Sequence, residues 1–223
     1  MDLVEAIKAR KSIRGYKTDP VPQEILREIL EVATRAPSAD NSQPWEITVI
    51  SGKVLKAIAE ANVEALNSGR PIAPDVTHKP YEGIYRNRQI EVGKKIFELM
   101  DIPREDKEKR KAWILRGFRF FDAPAAFILA ADESLDPTRA ASDIGGIAQT
   151  ICLVAQKYGL GTCIVSQGML YADIVKQVTK IPKNKKIYWC IPIGYPDWNF
   201  PANQIKTERE PLQVNTTWLG FDE

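Results

Sequence analysis

Four groups able to hold an anion lie within five residues near the start of the chain: Arg10, Lys11, Ser12 and Arg14. Guanidinium forks match phosphate oxygens and charge-assisted hydrogen bonds are the strong ones, so the cluster suits a phosphate. A solvated basic helix end has the same residues, favoured by the macrodipole at a C-terminus, and spacing alone leans to that reading. A second candidate is Ala36-Pro37-Ser38-Ala39-Asp40-Asn41-Ser42-Gln43-Pro44-Trp45. Small and amide residues between two prolines make a stiff loop rich in polar groups, suited to gripping the edge of a planar heterocycle. A plain helix-to-strand connection has the same composition. A third is Gly159 to Gly168, a turn, a short strand and a second glycine, where backbone could approach a ligand closely. The fourth, Lys206 with Arg209 just before Pro211, is ordinary surface unless the end of the chain folds back onto the first cluster.

Composition excludes more than it selects. Among 223 residues, 31 Lys and Arg stand against 29 Asp and Glu, a net charge of +2, which argues against a generic nucleic-acid binder. The single histidine, His78, leaves little room for a histidine-rich metal site or for a Ser-His-Asp mechanism. It falls in a loop and reads as a surface or lid residue. Cys152, Cys163 and Cys190 are an odd count without C-x-x-C spacing, so no disulfide framework is expected and a reducing, cytoplasmic setting fits. Gly159-Leu160-Gly161 lacks the third glycine of a dinucleotide fingerprint and enters a strand rather than a helix. Walker, H-E-x-x-H and G-x-S-x-G motifs are missing. The most apolar run, Ala123 to Ala131, contains Pro124 and is too short to cross a bilayer, and the first ten residues lack the pattern of an address.

These candidates need elements to position them. A short helix capped by Asp2 runs into Arg10, with Leu3, Val4 and Ile7 on one face. A second helix starts near Pro22, and Pro37 ends it. Alternation marks Trp45 to Ile50 as a strand. Helices are expected over Lys53 to Leu66, Arg86 to Met100, Arg104 to Arg119, Thr138 to Tyr158 and Tyr171 to Lys180. Strands are expected over Ala125 to Ala131, Thr162 to Val165 and Ile187 to Gly194. Gly145-Gly146 in the longest helix costs about 1 kcal/mol each against Ala, and close approach of another backbone would be a reason to accept it. From Tyr195 to Glu223 the pattern is irregular, so this tail must wrap around something, plausibly a partner subunit. The sum is about four strands and six or seven helices in one α+β domain spanning residues 1–223.

Taken in order, the Arg-Lys-Ser-Ile-Arg start, the Ala-Pro-Ser…Asn-Ser-Gln-Pro-Trp loop, the Gly-Leu-Gly-Thr-Cys run and the Arg-Glu-Pro-Leu tail resemble the nitroreductase family. Its members are flavin mononucleotide (FMN) enzymes that reduce nitroaromatics and quinones with a nicotinamide. The resemblance covers nearly the whole chain. It implies an α+β homodimer, intertwined around a central, mostly antiparallel sheet flanked by helices, with FMN in the dimer interface. Carried onto this chain, Arg10, Lys11 and Ser12 would hold the phosphate and ribityl chain, and Arg14 would lie near the flavin pyrimidine edge. Pro37, Ser38, Ala39 and Asn41 would come from the other subunit. The backbone of Val165, Ser166, Gln167 and Gly168 would approach the side of N5, and Lys206 and Arg209 would complete the phosphate site. Arg119 is taken for the basic residue before the second long strand, where an Asn equivalent is missing.

A flavin carries the redox chemistry, so no catalytic side chain is expected. Hydride would pass from NAD(P)H to flavin N5 and then to a small aromatic acceptor on the same face, with ping-pong kinetics. Arg14 and Arg119 would stabilise negative charge near N1 and O2. The interval 67–121 would be a helical insertion or lid, with Tyr81 and Tyr85 to stack an arene and Arg88 to take a nitro or carboxylate group. Residues 195–223 would wrap the partner. The same fold and cofactor could instead serve reductive dehalogenation, ene reduction, flavin destruction or non-catalytic flavin binding.

Overall fold

The computed structural model describes residues 2–221; Met1, Asp222 and Glu223, the extreme ends of the expected domain and tail, lie outside the described residues. The apolar run expected to be a strand is β2 (Ala125–Asp132), with β1 (Glu46–Ser51) on one side and β4 (Lys185–Gly194) on the other. With β3 (Gly161–Thr162) beyond β4, the sheet has four antiparallel strands in the order β1-β2-β4-β3.

Side chains alternate across a strand, so β2 feeds two cores. Ala125, Phe127, Leu129 and Ala131 pack under α2 (Gln23–Ala33) and α6 (Pro137–Lys157), with Ile29, Ile144, Ile147 and Ile151. Ala126, Ile128 and Ala130 face α3 (Gly52–Asn67) and α7 (Ala172–Thr179) through Ile58 and Val175. Burial on both faces explains why β2 reads as an unbroken apolar run rather than an alternating one. Each large side chain so buried contributes about 1.5–3 kcal/mol.

The first segment closes the sheet's far edge. Asp2 and Glu5 form a reciprocal capping box on α1 (Leu3–Ala9), and Arg10 ends that helix. The chain then extends along β3, where Ile13 N–H donates to Thr162 O at 2.9 Å. Ser12 bridges Thr162, and Tyr16 bridges Pro196.

Several boundaries differ from expectation. The helix expected from Arg104 starts at Lys107, because Asp106 caps it by accepting from Lys109 N–H at 2.9 Å; this is α5 (Lys107–Phe118). The short strand expected over Thr162 to Val165 pairs only at Gly161–Thr162, and Val165 returns alone to Cys190. The tail has a short turn at Pro201–Gln204 and a one-turn helix, α8 (Leu212–Asn215), that buries nothing. The interval 67–121 is not one piece. Ala73 N–H donates to Leu170 O at 2.8 Å and Ile187 N–H to Asp75 Oδ2 at 2.9 Å, so residues 70–78 are fastened to the body. α4 (Gly83–Leu99) packs on the tail instead, where Ile96, its single buried residue, meets Ala202 and Ile205. No helix among the described residues is long and apolar enough to cross a membrane.

Candidate functional site

Arg10 sits at the C-cap of α1, where the chain leaves the helix for the sheet edge. That change of direction aims Arg10 and Lys11 into a cleft of about 670 Å³, whose other wall carries Gln149 of α6 and Lys206, Thr207 and Arg209 of the tail. The end of the chain therefore does fold back onto the first cluster. Lys11 Nζ donates to Asn203 O at 2.7 Å. Its pKa lies below the ordinary lysine value, first because burial disfavours the charge and then because Lys206 is near. Among the described residues, none of Arg10, Lys11, Lys206 and Arg209 forms an ion pair with a carboxylate. Like charges gathered without a counterion repel one another, and an anion with several oxygens relieves all of them together. A phosphate group fits this donor set.

Arg14 follows on the same strip of chain, tied to the tail through Asn203. Its N–H donates to Asn203 Oδ1 at 2.7 Å, and its guanidinium stands 6.0 Å from the centre of the Phe121 ring. The cation that backs it is Arg116, not Arg119. Arg116 donates to Arg14 O at 3.2 Å and to Phe121 O at 3.3 Å, lies 4.5 Å over the Phe200 ring and pairs with Asp122 at 2.9 Å. Burial lowers its pKa. Arg119 reaches the same carboxylate, its fork on both Asp122 oxygens at 2.7 and 3.2 Å, and makes no hydrogen bond to Arg14. The physical reason is the helix end: α5 stops at Phe118, so Arg119 is its cap and leaves the direction that Arg116 keeps. Beyond it, Phe120, Phe121 and Asp122 are all left-handed, with φ of 56, 55 and 59°. Such residues cost about 1–3 kcal/mol each and persist where their surroundings over-determine them, here the two arginine forks.

Val165 exchanges both backbone hydrogen bonds with Cys190 at 2.9 Å, which fixes the start of the 165–168 segment. The Gln167 amide lies where a β-carbon on Gly117 would be. The room left by Gly168 is filled by the Phe120 ring, 2.5 Å from where its β-carbon would sit, so this glycine serves packing. Buried Asn62 holds the segment by donating to Gly168 O at 2.9 Å.

The 37–41 loop stands apart. Ala39 N–H donates to Asp143 of α6 at 3.3 Å, and Ser38 Oγ accepts from Gln43 N–H at 2.9 Å. Pro37 O lies 3.8 Å from the β-carbon position of Gly146, an ordinary contact that a methyl group would tolerate, and nothing lies within 4 Å of that of Gly145, so no close backbone approach within the chain requires either glycine. Among the described residues the loop makes no hydrogen bond to Arg10–Arg14, to 165–168 or to the tail. Pro37, Ala39 and Asn41 are exposed.

Tyr81, just before α4, and Tyr85 in its first turn are 61% and 63% exposed, open to stacking. Arg88 is engaged by Glu210, donating from Nη2 at 2.8 Å, and lies 5.9 Å over the Tyr85 ring. His78 stacks on Trp189 at 5.3 Å. Three residues that sequence reasoning passed over organise the site: Asn203, Arg116 and Asp143. Asn203 follows Pro201-Ala202 and reads as a turn residue; Asp143 sits mid-helix, where only its place on the otherwise apolar face marks it.

Comparison with known proteins gives a consistent answer. The nitroreductase family profile matches residues 7–195. Nitroreductase NfnB of Mycolicibacterium smegmatis is 30% identical over 97% of this chain and 94% of its own. Nitrobenzene nitroreductase of Ectopseudomonas oleovorans is 30% identical over 96% of each chain. The crystal structure of FMN and NADPH-dependent nitroreductase NfnB from Sphigopyxis sp. strain HMH superposes with a TM-score of 0.94 at 28% identity, over 99% of this chain and 100% of that one.

Proposed function

The chain belongs to the nitroreductase family, and from that premise we propose that it is an FMN-dependent reductase carrying hydride from NAD(P)H to a nitroaromatic or quinone acceptor. The observation that carries the reading is the cleft whose cations, Lys8, Arg10, Lys11, Lys206 and Arg209, have no carboxylate partner among the described residues. Arg10, Lys11, Lys206 and Arg209 would hold the FMN phosphate, and the Ser12 hydroxyl the ribityl chain. Arg14, backed by Arg116, would present positive charge to the pyrimidine edge, and the 165–168 backbone would lie on the side of N5. Bound FMN supplies a hydride-accepting and hydride-donating N5 atom. The chain's own residues bind it, orient it and line the face on which both substrates stack in turn, with Tyr81 and Tyr85 offering flat surfaces to an arene.

The working unit in this proposal is a homodimer, in which Pro37, Ser38, Ala39 and Asn41 complete the partner's site. Its support is the apolar surface one chain leaves uncovered: Leu212, Trp218, Leu219 and Phe221 in the tail are more than half exposed, as are Leu3 and Val4 of α1. Three buried, unbridged thiols support a reducing compartment such as the cytoplasm.

Purified protein should be yellow. Anaerobic NAD(P)H should bleach the flavin band, nitrobenzoate or a quinone should restore it, and double-reciprocal plots should be parallel. A colourless protein unable to take up FMN would overturn the proposal. Flavin that neither nicotinamide bleaches would leave a binding protein rather than a reductase.

A further inference from the structure

The wall of the cleft that comes from the tail is joined to the Arg14–Gly15 backbone by one buried side chain. Asn203 is fully buried. Its Oδ1 accepts from Arg14 N–H at 2.7 Å, while its Nδ2 donates to Gly15 O at 2.7 Å and to Asp197 O at 2.8 Å. Its backbone N–H donates to Phe200 O at 2.9 Å, and its carbonyl accepts from Lys11 Nζ at 2.7 Å. Only an amide satisfies this set. A carboxylate would face two carbonyl oxygens, and an apolar side chain would leave a donor and two acceptors unmade.

Packing alone does not require such a residue. Ala202 and Ile205 already bury the segment's apolar side, and a β-carbon on Gly15 would overlap the Phe200 ring, so the two strips of chain are in contact without the amide. What the amide adds is register. Its bonds fall on the backbone of Arg14 and Gly15, which brings the carbonyl of the same residue onto the Lys11 ammonium, while Lys206 and Arg209 follow three and six residues later in the same chain.

We propose that Asn203 is the positioning residue of the cofactor site: it sets Lys11 and Arg14 on one strip and Lys206 and Arg209 on the other so that a single phosphate engages both. This rests on the FMN reading above. The two ligands that separate register from general stability are FMN and riboflavin, which differ by the phosphate.

The test measures affinity for both in the wild type and in Asn203→Ala, with the salt dependence of each. The wild type should prefer FMN strongly. The variant should lose about ten-fold or more of that preference, with riboflavin affinity within about three-fold and a shallower salt dependence for FMN. A variant that weakens both ligands equally, or keeps the full preference, overturns the inference while leaving the FMN reading intact. A wild type without preference for FMN overturns both. Should Asn203→Ala not yield folded protein, amide hydrogen exchange on the wild type decides. FMN, and riboflavin much less, should slow exchange in 11–16 and 200–206 together; protection confined to one strip overturns the inference.

Discussion

Two groups of cations, one at the start of β4 and one in the cleft between the first segment and the tail, are in opposite electrostatic states. At the start of β4, Lys185 holds Asp132 at 3.0 Å and also Glu46, Lys186 holds Glu133 at 3.4 Å, and nearby Lys176 holds Asp75 at 2.8 Å. In the cleft, the chain gathers Arg10, Lys11, Lys206 and Arg209 with no carboxylate partner among the described residues. The same side chain responds oppositely to the two settings. Hydrogen bonds donated to Glu46 and Asp132 push the Lys185 pKa up, whereas burial and Lys206 bring that of Lys11 down. In the first group the counterions are in the chain; in the second, on the proposed reading, the charge is left to be met by a ligand.

The sharpest way to break the contrast is to remove cations from the uncompensated group. Arg10→Ala with Arg209→Ala removes two charge-assisted contacts of about 1.5–3 kcal/mol each, so FMN affinity should fall at least about a hundred-fold while riboflavin binding changes little. Equal losses for the two ligands would sink the phosphate assignment. In the compensated group, Asp75→Asn breaks a largely buried pair and should cost about 3 kcal/mol of stability, read as a lower denaturation midpoint. FMN affinity should stay unchanged there, and a shifted affinity would erase the distinction between the groups. A third change transfers compensation. Gln149→Glu would put a carboxylate among the cleft cations and should weaken FMN about ten-fold while slightly stabilising the cofactor-free protein. Unaltered affinity would mean that the anion binds elsewhere.

The smallest effect is in pH. A bound dianion favours the charged form of Lys11, so its pKa is higher with FMN than without. Affinity should therefore be full at neutral pH and decline as pH rises through the free protein's lowered value, beginning below the ordinary 10.5. Proton uptake on FMN binding in that alkaline window, measured calorimetrically in buffers of different ionisation enthalpy, checks the sign; proton release would contradict it.

Much of this was legible in the sequence because it depends on local rules. The helical period located α6 to within a residue at each end, and the apolar run located β2. What was not legible depends on contacts made across the fold. Nothing local announces three successive left-handed residues at Phe120–Asp122; they exist because Arg116 and Arg119 reach Asp122 from the end of α5. Choosing between Arg116 and Arg119 required knowing at which residue that helix stops. The 70–78 loop looked like part of a lid and is bound to β4 by one carboxylate, Asp75. Asn203 looked like any turn residue, and its role comes from groups near the other end of the chain.

That last separation has a consequence in time. Lys11 and Asn203, whose contact helps shape the cleft, are 192 residues apart. At a synthesis rate of about 5–20 residues per second, Arg10 and Lys11 leave the ribosome roughly 10–40 s before their counterparts on the tail. During that interval the nascent chain has helices to form but no second wall to the cleft. On the proposed reading the phosphate half of the site closes only after the tail is made, and a stalled or clipped chain that ends before Asn203 should keep most of its hydrophobic core while binding FMN no better than riboflavin.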